Sequence, residues 1–334
     1  MQNFIKTYSC TYTDNKTMCL IPNPKYSIDK NSQIEYICEV LQRHEKEHLY
    51  DIRNKLYELN DKRVLHIKSC FHLGIYFYEN NEIKKNIDNV ITWLLENDNP
   101  KEQVQGRFKF VWMLICMFHD IGYVIEEKCI ENNKKELSQV TEWFGNMKLK
   151  KPRFFPKRYS LKMLKKYEHY REDYWKKIDH GIFGGLVFLN EVLDLRNKKE
   201  KEKNKTCNWD ESLIDTYNLA AWTIMCHNIY KTDKEKENAK LYKCYGLENL
   251  IKNGRIINLK NHPLLYLFCL VDSIEPYKNG IENIQMTINQ KRICIKHSDC
   301  IGDKDGYLKK IYELKEWLAD VTINSNDNTI EISL

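Results

Sequence analysis

The residues best suited to chemistry lie in WMLICMFHDIGYV, 112–124, where an apolar stretch ends on His119 and Asp120 side by side. A helix here delivers both side chains at its end, and Gly122 lets the chain turn away. Neighbouring His and Asp offer one cation a neutral nitrogen and an anionic oxygen, and the second carboxylate oxygen can bridge to another cation. A second position asks for a partner of the same kind. In HPLLYLFCLVDSIEP, 262–276, Leu265, Phe268 and Asp272 share one helical face. Burying an unpaired carboxylate costs several kcal/mol, so Asp272 needs a strong counter-charge, and a cation is the economical one.

An HD dipeptide recurs by chance, but in these surroundings it resembles the HD superfamily of metal-dependent phosphohydrolases, over residues 60–280 or so. That family carries a histidine, then HD, then further histidines in many members, and a closing aspartate, on successive helices. The first histidine is matched by His66 in DKRVLHIKSCFHLGIYFY. His72 is the alternative; it lies about 240° further around a helix, so the two cannot serve one site. The spacing from His66 to Gly74 resembles the family segment better, which favours His66. In DHGIFGGLVFLNEVL, 179–193, His180 stands at a helix start, with Gly181, Gly184 and Gly185 permitting close backbone approach. Asp179 reads either as the helix cap or as a carboxylate orienting the His180 ring. In LAAWTIMCHNIY, 219–230, Ala220, Ile224 and His227 share a face. A lone buried histidine is more often a hydrogen-bonded core residue, but the family carries one in a similar run.

The resemblance implies a ligand set of His66, His119, Asp120, His180, His227 and Asp272. It implies that His66, His119, Asp120 and Asp272 serve one cation, and Asp120, His180 and His227 another. The implied activity is hydrolysis of a phosphoester or phosphoanhydride of a small molecule, a nucleotide above all, by metal-activated water, with His119 and Asp120 at the catalytic centre. Histidine-rich ligation suits Mn, Fe, Co, Ni or Zn better than Mg, as one or two ions. Lys231, one turn past His227, is the candidate for a substrate phosphate, with Arg107 and Lys278 behind it. The extra histidines at 180 and 227 resemble the phosphodiesterase-like pattern. The glycine-tyrosine-proline signature of cyclic dinucleotide phosphodiesterases is absent, since Gly122 and Tyr123 are followed by Val124. The competing expectation is a regulator that binds metal or nucleotide without catalysis and uses residues 281–334 as a partner surface.

Helices must position these residues. Glycine and proline are scarce, and apolar residues recur at three-to-four spacing, which predicts a mainly α fold. Helices are expected at 31–59, 61–79, 83–97, 104–119, 134–147, 159–175, 180–195, 211–229, 235–252 and 261–274, with residues 1–30 irregular. After residue 281 the pattern changes. IENIQMTINQ and KRICIKHS alternate as strands, 307–320 reads as a helix, and VTIN and NTIEISL as two further strands. The expected organisation is an N-terminal segment, 1–45, packed on an HD-domain helical bundle, 46–280, with a small α+β appendage, 281–334. The basic, proline-broken stretch LKKPRFFPK (149–157) and the charge run NKKEKEKNK (197–205) read as surface loops.

Composition removes other classes. With 42% hydrophobic and 30% charged residues among 334, the chain can bury a core and keep a solvated surface. A net charge of +6 is too modest and dispersed to indicate a nucleic-acid groove. The basic stretch 148–166 reads better as an amphipathic helix packing on the body. The 12 cysteines are scattered and several fall in apolar runs, as buried thiols in a reducing compartment do. The opening residues lack a signal-peptide stretch and the apolar runs 110–118 and 263–271 are too short to span a bilayer, so the expected location is cytoplasmic, with assembly into a homo-oligomer left open. HEKEH at 44–48 matches the zinc-protease string, but its polar surroundings favour a surface helix.

Overall fold

A computed structural model describes residues 6–10, 61–80, 82–95, 101–123, 161–175, 178–201, 211–229, 236–247, 257–281, 284–289, 291–298, 301–326 and 328–334. In chain order the elements are β1 (Lys6–Cys10), α1 (Asp61–Asn80), α2 (Ile83–Leu94), α3 (Lys101–Phe118), α4 (Leu161–Tyr170), α5 (His180–Lys201), α6 (Glu211–Cys226), α7 (Lys236–Cys244), α8 (Pro263–Ile274), β2 (Ile284–Ile288), β3 (Arg292–Lys296), α9 (Lys304–Trp317), β4 (Thr322–Ser325) and β5 (Thr329–Ser333). The fold is mainly helical with a small antiparallel sheet, as the periodicity predicts. Among the described residues no helix is long and apolar enough to cross a membrane. The helices expected at 31–59 and 134–147, the HEKEH string and the 149–157 loop lie outside the described residues.

The chain divides into two compact units. The first takes its described residues from 1–37, 60–91 and 254–334. Its sheet runs β1-β2-β3-β5-β4, every neighbouring pair antiparallel. Period-two alternation puts Ile284, Met286, Ile288, Ile293, Ile295, Ile330 and Ile332 on the buried side. The two hairpins use the same device at their turns. Asn289 Oδ1 accepts from the Lys291 and Arg292 N–H groups, and Asn326 Oδ1 from those of Asn328 and Thr329. Helix α9, capped by Asp303 onto the Gly306 N–H, buries Tyr307, Ile311, Leu314 and Trp317 at helical spacing. It packs on α8, where Tyr307 Oη donates to the Ile274 carbonyl at 2.7 Å. α8 is buried along its whole length and packs against α1.

Strand β1 corrects the expectation of irregular structure over 1–30. It forms the sheet edge, pairing Lys6 through Cys10 with Ile288 through Ile284. A five-residue strand whose partner lies near the opposite end of the chain leaves no periodic mark of its own.

The second unit takes its described residues from 92–253. α5 and α6 pack together, and both pack on α3. Small residues set the spacing. A methyl carbon at Gly185 would lie 2.6 Å from the Ala221 carbonyl oxygen, so α5 and α6 meet backbone to backbone there. α4 buries Met163, Leu164, Tyr167 and Tyr170 and exposes Lys162, the amphipathic packing expected of this segment. Two helix ends differ from expectation. α5 continues to Lys201, because Lys and Glu are good helix formers even without an apolar anchor. α7 closes at Cys244 with Gly246 at φ 65°. Leu247 N–H donates to the Tyr242 carbonyl and Gly246 N–H to that of Lys243, the paired bonds of a left-handed glycine stop.

Candidate functional site

Among the described residues, each unit buries a cluster of candidate ligands. In the second unit α3 ends at Phe118, and His119 continues its hydrogen bonding through its N–H to the Ile115 carbonyl at 3.0 Å. The turn Asp120–Ile121 follows, and Gly122 is required for it. A methyl carbon there would lie 1.9 Å from the His180 carbonyl oxygen, where the first turn of α5 crosses. His180 opens α5 as expected, and Asp179 caps that helix, its Oδ1 accepting from the Ile182 N–H at 2.9 Å. α6 ends at Cys226 and hands His227 to the cluster. Gly181 gives this ring its room, since a methyl carbon there would lie 2.9 Å from His227 Nδ1.

Asp120 Oδ1 is 3.2 Å from His119 Nε2 and 3.7 Å from His180 Nε2. One ligand atom each from Asp120, His180 and His227 lies within 4.8 Å of the others. The His119 and His227 rings stand edge to face at 5.5 Å, and those of His180 and His227 at 5.3 Å. All four residues are buried.

The hydrogen bonds fix what these rings offer. His119 Nδ1 donates to the Cys116 carbonyl at 2.8 Å, and His227 Nδ1 to the Ile224 carbonyl at 2.7 Å. A carbonyl only accepts, so Nδ1 carries a proton in both rings, which makes Nε2 the nitrogen available to a cation. Asn228 Nδ2 donates to His180 Nε2 at 2.7 Å, which marks that nitrogen too as the lone-pair one. The Tyr123 ring stacks on His180 with centroids 3.8 Å apart and holds its plane. Imidazoles presenting Nε2 beside a carboxylate are a donor set for a borderline divalent cation.

In the first unit α1 carries His66 and α8 carries Asp272. His66 Nε2 is 3.2 Å from Asp272 Oδ1, and its Nδ1 is 2.6 Å from Glu275 Oε2. Lys278 Nζ donates to Asp272 Oδ1 at 2.9 Å. Cys70, one turn after His66, brings its Sγ to 3.6 Å from His66 Nδ1, and His66, Cys70 and Asp272 form a group able to hold a cation. Burial alone would lower the His66 pKa. The Glu275 carboxylate, with the hydrogen bonds to Asp272 and Glu275, outweighs both burial and the Lys278 charge and raises it to about 9. Without a cation this cluster is therefore an ion-paired network with a protonated imidazole.

His72 stands elsewhere on α1, half-buried and edge-on to Phe71. Arg107 lies about three turns before the end of α3 and donates to Thr216 Oγ1 at 2.9 Å. Lys231 is outside the described residues. Cys70, Asn228, Tyr123 and Glu275 were not singled out from sequence. Asn228 directly follows a candidate ligand, and Glu275 lies one turn after Asp272 at the close of an apolar helix, so position relative to a ligand was the available signal.

No family model, curated protein or solved structure matches this chain.

Proposed function

We propose that the chain is a metal-dependent phosphohydrolase of the HD type, cleaving a phosphoester or phosphoanhydride of a small molecule such as a nucleotide. The observation that carries this reading is the tautomer arrangement around Asp120, where His119 and His227 spend their Nδ1 protons on carbonyls of their own helices. Protein groups have thereby already prepared the nitrogens that ligation uses. With Nδ1 engaged in this way, Nε2 of His119 is left facing Asp120, where a cation would take both as ligands.

His119, Asp120, His180 and His227 would hold a cation in the second unit, and His66 and Asp272 would hold one in the first. A divalent cation bound there supplies an activated water at neutral pH and a positive centre for a phosphoryl oxygen. Asp120 has two carboxylate oxygens for that role, and the glycines at 122 and 181 let the donors approach. Mn, Fe, Co, Ni or Zn suit the imidazole donors better than Mg. Lys231 is the proposed phosphate contact, with Lys278 as a second cationic side chain already next to Asp272.

The test is turnover of bis(p-nitrophenyl) phosphate by the full chain loaded with Mn²⁺, followed by a nucleotide panel. Hydrolysis that is lost in Asp120→Ala, with the helical circular dichroism intact, supports the enzyme. Stoichiometric metal with no turnover across the panel contradicts it and favours a non-catalytic regulator.

A further inference from the structure

We propose that Glu275 is the positioning residue of the first unit's cluster, setting the orientation of both His66 and Asp272. The inference rests on the metal-dependent reading above and deepens it.

Glu275 is the first residue past α8, and its backbone N–H still closes the helix onto the Val271 carbonyl at 2.9 Å. Its side chain turns inward and is buried. Both carboxylate oxygens are engaged. Oε1 accepts from the Tyr277 N–H at 2.8 Å; Oε2 accepts from the Lys278 N–H at 3.1 Å and from His66 Nδ1 at 2.6 Å. One side chain thus grips an imidazole on α1 and the tight turn Tyr277–Asn279 that follows α8.

Two consequences follow from acceptor chemistry. A carboxylate has no hydrogen to donate, so Nδ1 of His66 carries a proton toward Glu275, and Nε2, directed at Asp272, is the position a cation would take from a proton. A histidine held through Nδ1 by a carboxylate presents Nε2 to a cation in a fixed plane and with raised basicity. The second consequence runs through the turn. By capping the Tyr277 and Lys278 amides, Glu275 fixes the backbone from which Lys278 reaches back to Asp272 Oδ1. Lys278 in turn holds that carboxylate in the rotamer that meets His66. Asp272 and Glu275 lie one turn apart on the same face, which is why a single helix end can supply both the ligand and the group that aims its partner.

The test follows the His66 imidazole by ¹⁵N NMR in the full chain during Zn²⁺ titration, in wild type and in Glu275→Gln. The amide offers one accepting oxygen where the carboxylate offers two, and it carries no charge. Wild type is expected to keep the His66 proton on Nδ1 while Nε2 moves to the metal-bound shift. In E275Q the zinc concentration needed to move Nε2 rises about 10–100-fold, the usual cost of losing such an outer partner. A purely structural role predicts lower stability with the His66 tautomer and its zinc dependence unchanged, and that result overturns the proposal. Should E275Q fail to fold, the wild-type spectrum alone decides: a proton on Nε2 with zinc on Nδ1 overturns it. A wild type whose His66 responds to no zinc at any accessible concentration removes the metal reading itself, and this inference with it.

Discussion

The two buried clusters solve the same problem, polar groups inside a protein, in opposite ways. Around His66 the solution is charge against charge, with one imidazole between two carboxylates and a lysine on Asp272. Around Asp120 the solution is hydrogen bonding, with the His119 and His227 Nδ1 atoms on carbonyls, His180 Nε2 on an amide and a carboxylate at the centre. The first arrangement is self-compensating. The second holds its rings through hydrogen bonds and leaves Nε2 of His119 toward a carboxylate. Chemistry that needs a cation is better served by the second.

Breaking the Asp120 cluster should have the largest effect. Asp120→Ala removes the oxygen nearest to two imidazoles, and steady-state assays with metal present should show a loss exceeding the roughly 100-fold that outer partners cost. Asn228→Ala, which leaves a lone pair unassigned but no ligand missing, should cost at most that.

Next in size is Gly122→Ala, which sets a methyl carbon against the His180 carbonyl oxygen and cannot be relieved by a side-chain rotation. Urea unfolding should show a loss of about 3 kcal/mol or more. Retention of wild-type stability would mean that the crossing of the turn and α5 is looser than described.

The charged cluster is sharpened by pH. In the metal-free chain His66 has a folded pKa of about 9 against the ordinary 6.5, so its pairing stabilises the fold fully below pH 6.5. That contribution, about 3 kcal/mol at most, declines as pH rises through 9. Urea unfolding at pH 6 and pH 9.5 should show the drop in wild type and a much flatter profile in His66→Gln. The smallest effect serves as the control. Gly106 lies exposed in α3 with nothing within 4 Å of an added methyl carbon, so Gly106→Ala should stabilise by about 0.5–1 kcal/mol and leave metal binding untouched.

How legible these features were depended on how local their cause is. Asp272 stood out because a carboxylate in LFCLVDSI violates the apolar pattern around it, and His119–Asp120 because they close an apolar helix before a glycine. The α9 helix and the four C-terminal strands followed from periodicity alone. Long-range pairing was invisible: β1 takes its partner from β2, and Glu275 acquires meaning only when α1 places His66 beside it. The end of α7 was missed for a different reason. The apolar spacing runs past Gly246, whereas the left-handed glycine closes the helix before the pattern gives out. The tautomers that carry the functional reading depend on carbonyls three residues back along bends at helix ends, and residue identity does not encode those bends.

Mn²⁺ binding by the wild-type chain and by Asp120→Ala, measured by titration calorimetry with circular dichroism to monitor the fold, tests the central claim most directly. The account predicts stoichiometric binding in the wild type that is abolished or weakened by far more than 100-fold in the variant, the fold unchanged. Equal binding by both chains, or none by the wild type, would contradict it.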